Sequence, residues 1–148
     1  MNHPRYGYRC EDLENLTFDN EVFDAFITQD VMEHVFEASR AFREIARVLK
    51  TGGAHIFTVP LVNKHKKSER WASRGKDGGV TFHHEPEYHG NPVDSAGSLV
   101  TMHWGYDITG FIMKSSGMQS VIVIIDNIEK GIRAEYIEVI VSRKTARF

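Results

Sequence analysis

Apolar and polar positions along the chain fall into stretches of different period, and each stretch predicts an element. "VFDAFITQ" (22–29) is a short apolar run rich in Phe, the length and character of a buried strand. From 37 to 50, "EASRAFREIARVLK" places Ala38, Ala41, Phe42, Ile45, Val48 and Leu49 on one face at helical spacing. Its Arg and Lys gather towards the C-terminal end, where they suit the helix dipole. Gly52-Gly53 is expected to stop that helix, and "AHIFTVP" (54–60) reads as the next strand, closed by Pro60. Strand, helix and strand make one βαβ unit, which predicts parallel neighbours joined by a right-handed crossover.

Flanking segments are less regular. "RYGYRC" (5–10) predicts a short strand with Tyr6 and Tyr8 on one face, and the acidic, turn-prone "EDLENLTFDNEVFD" follows. From 61 to 103 the periodicity fades over a stretch far longer than an ordinary connection, which predicts a segment that is functional or partly ordered by a partner. It contains "HHEPEYHGNP" (83–92), with three His and two Glu in ten residues. "YDITGFIMKSSGM" (106–118) predicts a helix ending near Gly117. "SVIVIID" (120–126) and "EYIEVIVSRK" (135–144) predict strands whose short link makes them an antiparallel hairpin.

Composition narrows the class. The 148 residues suit one domain, 1–148, and 41% hydrophobic with 26% charged residues is ordinary for a water-soluble globular chain. A net charge of −2 argues against a bulk electrostatic grip on nucleic acid or on an anionic membrane. The basic run "NKHKKSERWASRGK" (63–76) reads as a solvated loop, with phosphate binding as the lesser alternative. Cys10 has no second cysteine to pair with, which fits a reducing compartment. No apolar run approaches the ~20 residues of a membrane span, and the polar N-terminus does not read as a signal peptide. A cytoplasmic setting is the expectation.

Taken in order, these segments resemble the class I S-adenosylmethionine-dependent methyltransferases of the type 11 kind. "CEDLENLTFDNEVFDAFITQDVMEHV" is similar to the family's stretch from the adenine-contacting acidic residue through its fourth strand. "AFREIARVLKTGGAHIFTVP" resembles the following helix, Gly-Gly turn and fifth strand, and "PEYHGNPVDSAGSLVTMHWGYDI" an insert ahead of a last helix and hairpin. The resemblance implies an α/β fold, a truncated Rossmann-like sheet with strands equivalent to 3, 4, 5, 6 and 7 and an antiparallel C-terminal hairpin. It implies S-adenosylmethionine as cofactor and a small-molecule or glycan-type acceptor. Asp12 would accept a hydrogen bond from the adenine amino group and the Leu13 amide would meet a ring nitrogen, while Thr28 and Gln29 would face the cofactor's amino-acid part. A carboxylate is acceptor-only, so it complements an exocyclic NH2; the alternative is that Asp12 merely opens a polar loop.

One feature of the family is missing: no GxGxG occurs in the sequence. Half of the cofactor cradle is therefore expected to be absent, and cofactor binding to be weak or lost. A catalytically silent association module is the competing reading. The strand at 22–29 is expected to form a bare edge, inviting a homodimer or a partner that supplies the missing sheet edge.

"QDVMEHV" (29–35) carries the densest chemistry. Asp30, Glu33 and His34 read in three ways: acidic residues favourable to a helix start, a general base at His34, or a metal site. The metal reading rests on the similarity of DxxEH to the metal-binding ExxEH of some O-methyltransferases. It takes the three side chains to share one helical face, with a further ligand from His83, His84 or His89. Such a set of hard carboxylates and imidazole would suit Mg2+ or Mn2+ and less obviously Zn2+. His34 is the favoured catalytic candidate, and no metal is assigned. "HHEPEYHGNP" reads either as a loop in which Pro86, Gly90 and Pro92 shape turns and the histidines are solvated, or as a wall of the acceptor pocket with Tyr88 and His89 nearest the substrate. Trp71 and Trp104 are expected as core or lid aromatics, and Met102, Met113 and Met118 as packing.

Overall fold

The computed structural model describes residues 9–91 and 94–146. Its centre is a four-stranded sheet in the order β1-β2-β10-β9. β1 (Phe23–Gln29) pairs parallel with β2 (Leu49–Thr58), and α1 (Ala38–Val48) lies between them in the chain. All six residues on the predicted apolar face of α1 are buried, Leu49 included, although Leu49 adopts an extended conformation and opens β2. After α2 (Ile108–Ser116), which ends on left-handed Gly117, β9 (Gln119–Ile124) and β10 (Glu138–Arg143) form the antiparallel hairpin. A single 3-10 turn, Ile128–Lys130, interrupts their link.

Gly52-Gly53 does not stop the helix, contrary to expectation. The helix has already ended, and the pair sits inside β2 where the register with β1 shifts between Phe23 and Ala25. Gly52 takes a φ of 86°. A Cβ on Gly53 would lie 2.9 Å from the Lys50 carbonyl and 3.0 Å from that of Asp24, so the backbones pass too closely for any side chain. The glycines thus serve strand packing.

The insert is more ordered than its sequence suggests. It holds the short pairs β3 (Glu69–Arg70) with β8 (Met102–His103), β4 (Ala72–Arg74) with β5 (Val80–Phe82), and β6 (Tyr88–His89) with β7 (Ser98–Leu99). The predicted strand at 5–10 falls mostly outside the described residues.

Both helices pack on one face of the sheet. Phe42, Ile45, Phe57, Trp104, Ile108, Ile112, Met118 and Ile140 form the core there, and His55 is buried among them. Trp104 is fully buried, as expected, while Met113 is exposed and does not pack. Because strand residues alternate faces, the opposite side carries Ile27, Ile56, Val141 and Val121, which are successive cross-strand partners. No described element covers that row: Ile27 is 73% and Val121 59% exposed. β1 is an open edge among the described residues, as the sequence predicted.

Candidate functional site

The chain after β1 does not enter a helix. Residues 31–37 form turns and α1 starts only at Ala38, so Asp30, Glu33 and His34 do not share a helical face. Asp30 has a positive φ of 50° and is tied back to the strand end: its amide donates to the Thr58 carbonyl (3.1 Å), and its Oδ1 accepts from the Thr58 hydroxyl (3.0 Å). Its charge acts on both Glu33 and His34, but its carboxylate is not grouped with their donor atoms.

The turn is instead fixed by the chain at 99–104. Thr101 donates through its amide to the Glu33 carbonyl (2.8 Å) and through its hydroxyl to those of Glu33 (3.0 Å) and Val35 (2.8 Å). The Trp104 indole donates to the Met32 carbonyl at 3.2 Å. These bonds satisfy buried backbone acceptors that a helix would otherwise have used, which is why the turn persists.

They also set the side chains. Glu33 is 2% exposed, and neither carboxylate oxygen has a hydrogen-bond partner of ordinary geometry among the described residues. Burial pushes its carboxyl up to about 7, with a smaller upward push from the Asp30 charge; its own amide and His89 offset only part. His34 lies beside it, Nδ1 at 2.8 Å from the Leu99 carbonyl and Nε2 at 3.6 Å from Glu33 Oε1. A carbonyl only accepts, so Nδ1 carries the proton and Nε2 offers its lone pair. Burial lowers the His34 pKa, against the Leu99 bond that raises it, and the ring is neutral at neutral pH.

The β6–β7 pairing brings in His89, whose ring lies edge-on to that of His34 with centroids 5.0 Å apart. His89 Nδ1 is 3.8 Å from Glu33 Oε1, and its Nε2 is 3.3 Å from Glu87 Oε1. The other oxygen of Glu87 takes His103 Nε2 at 2.9 Å. His103 in turn stacks on Trp71 at 3.8 Å, and His84 covers the other face of that indole at 4.0 Å. Sequence reasoning missed Glu87 and His103. The two are partners sixteen residues apart, and no spacing rule reaches across an irregular insert. The dense His and Glu of 83–89 is the one signal that points there.

A cleft of about 410 Å³ opens in front of His34, lined by Asp12, Leu13, Val31, Val35, Phe36 and Arg74 among others. The Arg74 guanidinium sits over the Phe36 ring at 4.2 Å. Asp12 closes a local turn, its Oδ1 accepting from the Glu14 amide at 2.9 Å, and its side chain is exposed at the rim. Three predicted site residues, Asp12, Leu13 and His34, therefore meet in one cleft. Thr28 and Gln29 do not line it: the Thr28 hydroxyl bonds His55 Nε2 at 2.9 Å on the helix-covered face, and Gln29 is exposed at the strand end.

The methyltransferase-domain family matches residues 1–57, the part that contains β1, α1 and most of β2. A ubiquinone biosynthesis O-methyltransferase of Coxiella burnetii is 33% identical over 62 residues, 42% of this chain and 26% of that protein. Across the fold, an S-adenosylmethionine-dependent methyltransferase from Mesorhizobium loti superposes with a TM-score of 0.58 at 18% identity, covering 95% of this chain and 72% of the other. The chain shares the Rossmann-like α/β fold of these proteins. A Burkholderia thailandensis 1,6-didemethyltoxoflavin-N1-methyltransferase, solved with bound 1,6-didemethyltoxoflavin and S-adenosylhomocysteine, superposes with a TM-score of 0.53 at 12% identity, over 90% of this chain and 48% of its own. The matched stretch spans about a quarter of the curated relative's length. In a methyltransferase fold, ligands collect beyond the C-terminal ends of the parallel strands, and the cleft before His34 follows directly on the end of β1. No helix among the described residues is long and apolar enough to cross a membrane.

Proposed function

We propose that this chain takes part in S-adenosylmethionine-dependent methyl transfer to a small-molecule or glycan-type acceptor, within a single partial domain, 1–148, whose acceptor side is the insert 61–103. The observation that supports it is the convergence of Asp12, Leu13 and His34 on one cleft. The residues suit the adenine end of the cofactor: an exposed carboxylate to accept from the exocyclic NH2, with Val31, Val35 and Phe36 as apolar wall. Thr28 and Gln29 would contribute backbone groups towards the amino-acid end. The sulfonium supplies an already activated methyl, so the protein's tasks are in-line positioning of the acceptor and, for a hydroxyl, removal of its proton. His34 suits the second task through its free Nε2.

Calorimetry with S-adenosylhomocysteine tests this. Saturable micromolar binding is expected, weakened about tenfold in Asp12→Ala, roughly the worth of one charge-assisted hydrogen bond. No saturable binding would favour a catalytically silent association module.

For partners, the open β1 edge and the uncovered aliphatic row beside it support self-association of two copies in a cytoplasmic setting. Light scattering is expected to return twice the chain mass, and Ile27→Lys to restore the monomer. A wild type that stays monomeric at every concentration would remove the dimer.

A further inference from the structure

We propose that Glu33, His34 and His89 form a binding site for a first-row divalent cation of the zinc or cobalt type. Their donor atoms lie within 4.8 Å of one another. The separations from Glu33 Oε1, 3.6 Å to His34 Nε2 and 3.8 Å to His89 Nδ1, are too long for hydrogen bonds. They lie a few tenths of an ångström beyond the ~3.3 Å between neighbouring ligands of a tetrahedral ion with bonds of about 2.0–2.1 Å. A small contraction closes the site.

The buried carboxylate supplies an independent reason. Both Glu33 oxygens are shut away from solvent without a hydrogen-bond partner among the described residues, an arrangement that costs free energy unless a cation completes it. Both imidazoles are already set as ligands. The Leu99 carbonyl fixes His34 with Nε2 free, and the Glu87 carboxylate takes His89 Nε2, leaving Nδ1 towards Glu33. A ligand histidine whose far nitrogen meets a carbonyl or carboxylate is the usual outer arrangement of a metal site, and Glu87 is itself anchored by His103. Two imidazoles with one carboxylate suit zinc or cobalt better than magnesium or calcium, which prefer oxygen donors. Asp30 has no part in it.

This site does not depend on the methyl-transfer reading, since the ion needs no cofactor to bind. A loaded site would occupy the same His34 nitrogen that serves as base in the metal-free protein.

Titration of the full chain with zinc chloride alone, after chelator treatment, is the test. One equivalent is expected to bind at micromolar Kd or tighter. Affinity should fall about 10–100-fold in His89→Ala and Glu33→Gln and stay unchanged in His65→Ala. Nitrogen-15 spectra of the wild type guard against a misfolded variant: His34 Nε2 and His89 Nδ1 should shift on zinc addition. Absence of stoichiometric binding, undiminished binding in folded His89→Ala, or zinc-induced shifts confined to His83 and His84 would each overturn the site.

Discussion

Glu33→Gln and His55→Gln are expected to tilt the pH dependence of stability in opposite directions, while the wild type stays comparatively level between them. His55 is fully buried, with Nε2 on the Thr28 hydroxyl and its ring stacked on Phe57 at 4.3 Å, and burial alone drives its pKa down to about 3 from 6.5. Below pH 6.5 the unfolded chain takes up a proton that the folded chain refuses. Stability then falls by about 1.4 kcal/mol for each pH unit lost. Glu33 acts in the reverse sense. Its carboxyl is held near 7 against an ordinary 4.5, so between these values the folded chain keeps a proton the unfolded chain has released. Stability present below 4.5 is lost as pH rises towards 7, again by about 1.4 kcal/mol per unit. From 4.5 to 6.5 the two slopes oppose each other. Glu33→Gln exposes the His55 slope, giving a protein that weakens steadily on acidification. His55→Gln exposes the Glu33 slope, giving one that weakens towards neutrality. Urea unfolding across this range in chelator-containing buffer measures both, and parallel curves for the three proteins would refute the assignment.

Phe42→Ala is expected to cost about 3–5 kcal/mol, the upper part of the range for core truncations. Phe42 sits on α1 with no exposure, and its ring lies 5.9 Å from Phe57, 6.3 Å from Trp104 and 6.1 Å from Phe111. It is thus the common neighbour of β2, α2 and the chain that pins the Glu33 turn. Its removal leaves a cavity whose walls belong to three separate segments and cannot close together. The melting temperature should drop on the order of 10 °C, and Phe42→Leu should recover most of it. A loss below about 1 kcal/mol would mean that the helix layer is held elsewhere.

The sheet and its helices were legible because their signals are local. The run at 22–29, the apolar face of 37–50 and the final hairpin each declare themselves within one contiguous stretch, and parallel pairing follows from the crossover rule. Gly52-Gly53 misled because the same dipeptide serves as a helix stop and as a point of close backbone passage. The site was half legible. His34 and Glu33 stood out by type, but the helix assumed for them gave way to bonds from Thr101 and Trp104, some seventy residues away. No periodicity reports such a bond. Asp30 looked like a third ligand for the same reason, whereas His89, which takes that place, was one of three histidines that sequence alone could not rank.

Because Met32, Glu33 and Val35 all hand their carbonyls to the chain at 101–104, the insert is part of the load path between the two halves of the sheet rather than a detachable ornament. Engineering of this segment has one permissive place, the glycine-rich tip at 75–79 that closes β4 onto β5, where the backbone is exposed and its few bonds are local. A graft there would leave the carboxylate and its imidazoles in place, whereas shortening the chain near 99–104 would release the very turn on which they stand.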